Sequence, residues 1–167
     1  MKIFFVGFMG CGKTTWGRKL ANRLEFEFID LDKVFEDRVG TTITDYFTTH
    51  GQDAFRLLES ELLKETSYPE NVVVSTGGGL PAFFDNMQWM NDNGTTIYIK
   101  LTPATLAERL DKGKTTRPLI MGKHGEELVS FIAEKLAERE RFYEQATHTV
   151  NGIEMTPDLL VELVHNN

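Results

Sequence analysis

Residues 7–16 read GFMGCGKTTW, between the apolar run KIFFV and the helical stretch GRKLANRL. The spacing Gly7-x-x-x-x-Gly12-Lys13-Thr14 fits the phosphate-binding loop pattern. Glycines let a backbone curl tightly and approach a ligand without a Cβ in the way. The curl turns successive N–H groups inward as an anion nest, and the following helix adds the positive end of its dipole. Lys13 then reaches the β- and γ-phosphates of a nucleoside triphosphate, and the Thr14 hydroxyl is placed to ligate Mg²⁺. Gly10, Cys11 and Thr15 complete the cradle. Cys11 stands near a helix N-terminus, a setting of reactive thiols. Alkylation there is expected to block the phosphates, with a buried inert thiol as the alternative.

The pattern of the rest of the chain fits a loop of this kind. KIFFV, FEFIDLD (26–32), NVVVS (71–75), TTIYIKL (95–101) and HTVNG (148–152) read as five strands. Helical spacing is predicted over 13–24, 33–39, 43–49 with Thr42 as N-cap, 53–65, 103–112, 126–144 and 156–165. In the helix over 53–65 the 3–4 step of Ala54, Leu57, Leu58 and Glu61/Leu62 marks the apolar face, and Phe55 and Leu58 are expected to face inward. Strands alternating with helices predict an α/β, three-layer fold: a central, mostly parallel five-stranded sheet flanked by helices. The whole of 1–167 is expected to be one domain, with substrate-binding helices over about 32–66 and a mobile lid over about 112–125. In such sheets ligands sit at the carboxyl ends of the strands. The phosphate loop, Asp30–Asp32 and Gly77–Gly79 each follow a predicted strand, so three signals converge on one edge.

Composition narrows the partners. A net charge of −7 argues against nucleic acid or an anionic membrane, both of which want a basic face. No apolar stretch approaches the roughly 20 residues that span a bilayer, and the short run at the N-terminus does not read as a signal peptide. One cysteine excludes an internal disulfide, and the cytoplasm is the expected compartment. Any anionic substrate must then be caught by a few local arginines. Asp30 and Asp32 flank Leu31 at a strand end, where both carboxylates can serve a metal or an attacking hydroxyl. An acidic cap on the next helix is the plain alternative. Three consecutive glycines in STGGG exceed what a turn requires and suit backbone N–H groups packed against a polar ligand. Arg56 lies one helical step from Glu59, so an i,i+3 ion pair is open to it. Arg139 and Arg141 sit in the charged stretch ERERFY, and Arg109 and Arg117 bracket a glycine- and lysine-rich loop. Asp37-Arg-Val-Gly40 mimics a GTPase switch but follows no strand, and no guanine-reading N-K-x-D occurs. The four histidines show no zinc spacing.

Taken together, GFMGCGKTTWGRKLA, FIDLD, ITDYF, GQDAFRLLE, VVSTGGG, TTRPL and RERFYEQA resemble the shikimate kinase family, small kinases of the nucleoside-monophosphate-kinase type. The resemblance implies an ATP- and Mg²⁺-dependent enzyme that phosphorylates shikimate in aromatic amino acid biosynthesis, and a monomer is expected. It implies that Lys13 and Thr14 hold the phosphates and Mg²⁺, with Asp30 steadying the metal through water. It implies that Asp32 hydrogen-bonds the hydroxyl to be phosphorylated and that Arg56 and Arg139 grip the shikimate carboxylate. Gly77, Gly78 and Gly79 line that pocket, and Phe47 and Phe55 pack near it. Arg117, from the lid, touches the transferring phosphates, and Arg109 is placed near adenine. Cys11 departs slightly from the small residues expected at its position. The residues alone leave open a gluconate- or nucleotide-directed kinase of the same architecture, and a nucleotide-binding module without catalysis.

Overall fold

β1 (Lys2–Val6) forms the middle of the sheet, and Ile3 to Val6 are all fully buried. Side chains alternate across a strand, so burial of consecutive residues requires cover on both faces. The computed structural model, which describes residues 1–112, 120 and 122–166, supplies that cover with helices. Chain order after β1 is α1 (Lys13–Leu24), β2 (Glu27–Asp30), α2 (Leu31–Val39), α3 (Ile43–His50), α4 (Gln52–Glu65) and β3 (Val72–Ser75). A 3₁₀ turn (Leu80–Ala82), α5 (Asn86–Asn93), β4 (Thr95–Lys100), α6 (Pro103–Lys112), α7 (Gly125–Tyr143), β5 (His148–Asn151) and α8 (Pro157–His165) follow.

The strands lie in the order β2-β3-β1-β4-β5, and every pairing among the described residues is parallel. Phe4 sits between Val74 and Thr96 in register, and Phe5 between Ser75 and Ile97. The main core runs through the sheet into α1, α6, α7 and α8. A second apolar cluster, built on Phe35, Phe55 and Leu62 with Phe47 packed against it, ties α2, α3 and α4 together away from the sheet. Phe55 meets Phe35 at 5.0 Å and Phe47 at 5.8 Å between ring centroids. Among the described residues no helix is long and apolar enough to cross a membrane.

Several expectations are corrected. The second strand stops at Asp30 and not at Asp32, because the Asp30 side chain accepts from the Asp32 amide at 3.0 Å and starts α2 there. On α4, Leu57 is exposed, and the face turned inward carries Phe55, Arg56, Glu59, Ser60, Leu62 and Leu63. Two charged residues on that face hid its phase. As expected, Asp37–Gly40 is no switch but the end of α2, closed by Gly40 in the left-handed region (φ 74°). The sequence reading assigned no helix to 86–93, where NMQWMNDN is rich in poor helix formers. It is anchored by buried Met87 and Met90 and by the fully buried Asn86, which bonds Ser60 and the Leu80 carbonyl. The lid expected over 112–125 falls largely outside the described residues, and Arg117 with it.

Gly94, between α5 and β4, has extended backbone, yet a Cβ there would stand 3.0 Å from the Phe4 ring and 3.1 Å from the Lys2 carbonyl carbon. Because the obstructing atoms are β1 backbone and a fully buried ring, Gly94→Ala should cost roughly 1–3 kcal/mol through overpacking. The expected result in thermal melts is a Tm lower by several degrees. An unchanged Tm would show that β1 has room to move.

Candidate active site

The loop from Gly7 to Lys13 leaves β1 and enters α1 with Gly12 as N-cap in the left-handed region (φ 104°). Gly10 (φ 80°) packs so closely on Leu110 that a Cβ would lie 2.9 Å from it. These two positions admit glycine and little else. Lys13 is buried and donates to the carbonyls of Gly7 at 2.7 Å and Phe8 at 3.0 Å. Its ammonium therefore stands inside the curl, at the mouth of the helix. Cys11 is fully buried, with Sγ 3.9 Å from that ammonium. Burial of this kind favours the inert-thiol alternative, since a reagent would have to displace the loop to reach Sγ. Thr15 opens onto the cleft, and Arg109 of α6 reaches over the loop to the Cys11 carbonyl at 3.4 Å.

Two hydroxyls and a carboxylate, those of Thr14, Ser75 and Asp30, meet at one point. Thr14 Oγ1 lies 3.4 Å from Asp30 Oδ2 and 3.3 Å from Ser75 Oγ. They come from the start of α1 and the ends of β2 and β3, which the parallel topology brings to one edge. Hard oxygen donors of this kind fit Mg²⁺. Ser75 was not singled out in the sequence reading. The available signal was its place at the end of an otherwise apolar strand. Asp32 follows in the first turn of α2 and, with Lys13, Thr14, Ser75, Gly78 and Arg109, borders a cavity of about 320 Å³. A larger groove of about 660 Å³ lies between α7 and the ends of β4 and β5, but its lining is mainly apolar, around Leu101, Leu136 and Val150. The convergent polar groups single out the smaller cavity.

Beyond Asp32 stands a buried charge cluster. Arg56 and Glu59 on α4 pair at 2.8 Å with side chains 9% and 8% exposed. The ion pair open to them in the sequence therefore forms, but inside the protein. The Arg56 guanidinium lies over Phe83 at 4.3 Å and Phe55 at 5.0 Å. Arg139 of α7 is buried too, over Phe8 at 5.6 Å, while Arg141 is exposed on the outer face. Among the described residues, Arg56 Nε and Arg139 Nη1 are buried without a hydrogen-bond partner. Buried polar groups are rarely left so, and each such donor points to an acceptor that completes it. The glycine triad fills the space between. A Cβ on Gly77 would stand 2.9 Å from Glu59 Oε2 and 3.2 Å from Asp32 Oδ1, and one on Gly79 would stand 2.7 Å from the Arg56 guanidinium carbon. The triad is thus needed for close approach to charged side chains. Phe47 and Phe55 stand behind this cluster, Phe55 in direct contact with Arg56.

Residues 9–165 match the family model described as Shikimate kinase. A shikimate kinase of Parabacteroides distasonis is 44% identical over 165 residues, covering 99% of this chain and 95% of the relative. The crystal structure of shikimate kinase from Bacteroides thetaiotaomicron superposes with a TM-score of 0.93 at 41% identity, covering 99% of this chain and 98% of that one. A shikimate kinase from Acinetobacter baumannii, solved in complex with shikimate, gives 0.87 at 30% identity, covering 99% and 93%.

Burial pushes the Glu59 carboxyl up from 4.5 to about 7, its neighbour Asp32 adding to the rise while Arg56 and Arg139 oppose it. The native state therefore holds this proton more tightly than the unfolded chain. The stability it contributes is complete below about pH 4.5 and is lost as pH rises through about 7. Glu59→Gln cannot ionise, so its Tm relative to wild type should climb between pH 5 and 7.5 and then level. The shift corresponds to on the order of 3 kcal/mol. A difference in Tm that is flat across this range would remove Glu59 as the titrating group.

Proposed function

Because the chain belongs to the shikimate kinase family, we propose that it transfers the γ-phosphoryl group of ATP to the 3-hydroxyl of shikimate, giving 3-phosphoshikimate and ADP. The observation that carries the reading is the pair of buried guanidinium nitrogens, Arg56 Nε against the glycine triad and Arg139 Nη1 on α7, each without a hydrogen-bond partner among the described residues. A carboxylate offers acceptors to both, and guanidinium forks suit it better than a hydroxyl does. An acidic protein can bind an acid in this way because the two arginines act locally, where bulk solvent does not screen them.

The residue roles are those that the family resemblance implies, and the distances and charges described above support them. Lys13 and the loop amides of Gly10 to Thr15 bind the phosphates, and Arg109 lies where it can cover the base. Thr14, with Asp30 through water, would hold Mg²⁺, which supplies neutralisation of the phosphate oxygens when bound. Ser75 joins that oxygen set. Arg56 and Arg139 fix the acceptor's carboxylate, Gly77 to Gly79 line its ring, and Phe47 and Phe55 back the pocket. Asp32 accepts a hydrogen bond from the hydroxyl that is phosphorylated and takes its proton as the new P–O bond forms. Phosphoryl transfer through a loose transition state asks mainly for positioning and charge neutralisation, so Asp32 orients more than it activates. Arg117, outside the described residues, is assigned to the transferring phosphate on the resemblance alone. The same reading takes the chain as a cytoplasmic monomer with no nucleic-acid or membrane partner.

A coupled ADP-release assay with shikimate, gluconate, AMP or no acceptor tests the reading. ADP release should require shikimate. Release with another acceptor in its place, or with none of them, would contradict the assignment. In the same assay Asp32→Asn should lower kcat by roughly 10²–10⁴ and leave the KM for ATP near its wild-type value. A near-normal kcat would put the acceptor hydroxyl elsewhere.

A further inference from the structure

Arg139 and Tyr143 stand one helical turn apart on α7 and so share a face. Tyr143 is fully buried, its ring 5.1 Å from that of Tyr98, and its hydroxyl donates to the Gly78 carbonyl. Burial raises the phenol above its ordinary range, with Arg139 close enough to oppose the rise, so the group remains a neutral donor. Gly78 is pinned from the other side as well, because a Cβ there would stand 3.0 Å from the Met9 amide nitrogen of the phosphate loop. On its flanks Gly77 meets Glu59 and Asp32, and Gly79 meets Arg56. The triad therefore touches the phosphate loop, Arg56 and the acidic pair, and Tyr143 bonds its central carbonyl.

We propose that Tyr143 is a positioning residue for the acceptor. By holding the Gly78 carbonyl from the helix that also carries Arg139, it fixes the distance between the carboxylate grip and the phosphate loop. The consequence is specific. Without the hydroxyl, the triad and Arg139 can drift independently, and the acceptor loses its grip before the nucleotide does. The inference rests on the acceptor reading given above.

Tyr143→Phe keeps the ring and removes only the hydroxyl. Tyr68→Phe is the control, since Tyr68 also donates its hydroxyl to a carbonyl, that of Leu63 at 2.7 Å, but outside the site. Both variants lose a hydroxyl that donates to a backbone carbonyl and also meets a neighbouring side chain, Arg139 for Tyr143 and Thr66 for Tyr68, so both should melt a few degrees lower. Only Tyr143→Phe should raise the KM for shikimate, on the order of tenfold. Its KM for ATP and its kcat should stay within about threefold of wild type. Replacing Tyr143 with 4-aminophenylalanine, which restores a donor, should bring the KM back. In hydrogen exchange without ligands, the backbone over 76–80 should exchange faster in Tyr143→Phe and at the wild-type rate in Tyr68→Phe. A wild-type KM for shikimate in Tyr143→Phe, unaltered exchange over 76–80, or an unfolded Tyr143→Phe beside a folded Tyr68→Phe would each overturn the proposal. The last would make the hydroxyl a support of the fold as a whole. A wild-type enzyme inactive on shikimate would instead overturn the functional reading, and the exchange comparison still decides whether Tyr143 tethers the triad.

Discussion

The ion pair of Arg56 with Glu59, buried where the main core meets the smaller cluster of α2, α3 and α4, is the interaction on which the rest of the site depends. Taking two charges out of water is costly, and a buried pair is seldom the most stable filling for its space. Here burial lifts Glu59 to about 7 and leaves Arg56 Nε unpartnered. Arg139 repeats the pattern from α7, with Nη1 unpartnered. Glu59 holds the Arg56 fork at one angle and the rings of Phe55 and Phe83 hold its plane. The free donor is thereby fixed in space before any ligand arrives. Such preorganisation lowers what must be ordered on binding.

Topology then determines what lies beside that donor. Parallel pairing in the order β2-β3-β1-β4-β5 places the ends of β1, β2 and β3 side by side. The phosphate loop follows β1, Asp30 closes β2, and Ser75 with the glycine triad closes β3. Each contributes a different chemistry: amides and an ammonium for phosphate, oxygens for a hard cation, and bare backbone that lets charged side chains approach. The absence of Cβ atoms at Gly77 and Gly79 is as much a part of the arginine site as the arginines are. An alanine at Gly79 would stand where the Arg56 guanidinium lies.

Much of this could be read in the sequence, and the exceptions have physical causes. The phosphate loop, the five strands and their order along the chain follow from glycine spacing, β-branched runs and periodicity, which act locally. The phase of α4 did not, because Arg56 and Glu59 occupy inward positions where periodicity expects apolar side chains. The reading that treated Arg139 and Arg141 as one charged stripe could not separate them, since burial of the first depends on where α7 lies over Phe8. Asp32 was placed on a strand because Asp30 is at once a strand end and a helix cap. Helix α5 was missed because its stability comes from buried Met87, Met90 and Asn86 and not from intrinsic propensity. Ser75 and Tyr143 lie inside the stretches VVSTGGG and RERFYEQA, but what each does is set by partners far away in sequence, Thr14 and Gly78.

The central claim is that the buried arginines await a carboxylate. Calorimetric titration of the wild-type protein with shikimate and with the analogue whose carboxylate is replaced by a neutral amide tests it most directly. Losing a charged hydrogen-bond partner at a desolvated site costs about 2–5 kcal/mol. The amide should accordingly bind roughly 30- to 5,000-fold more weakly than shikimate. Equal affinities for the two would contradict the account, because the unpartnered nitrogens of Arg56 and Arg139 would then have no part in selecting the acceptor.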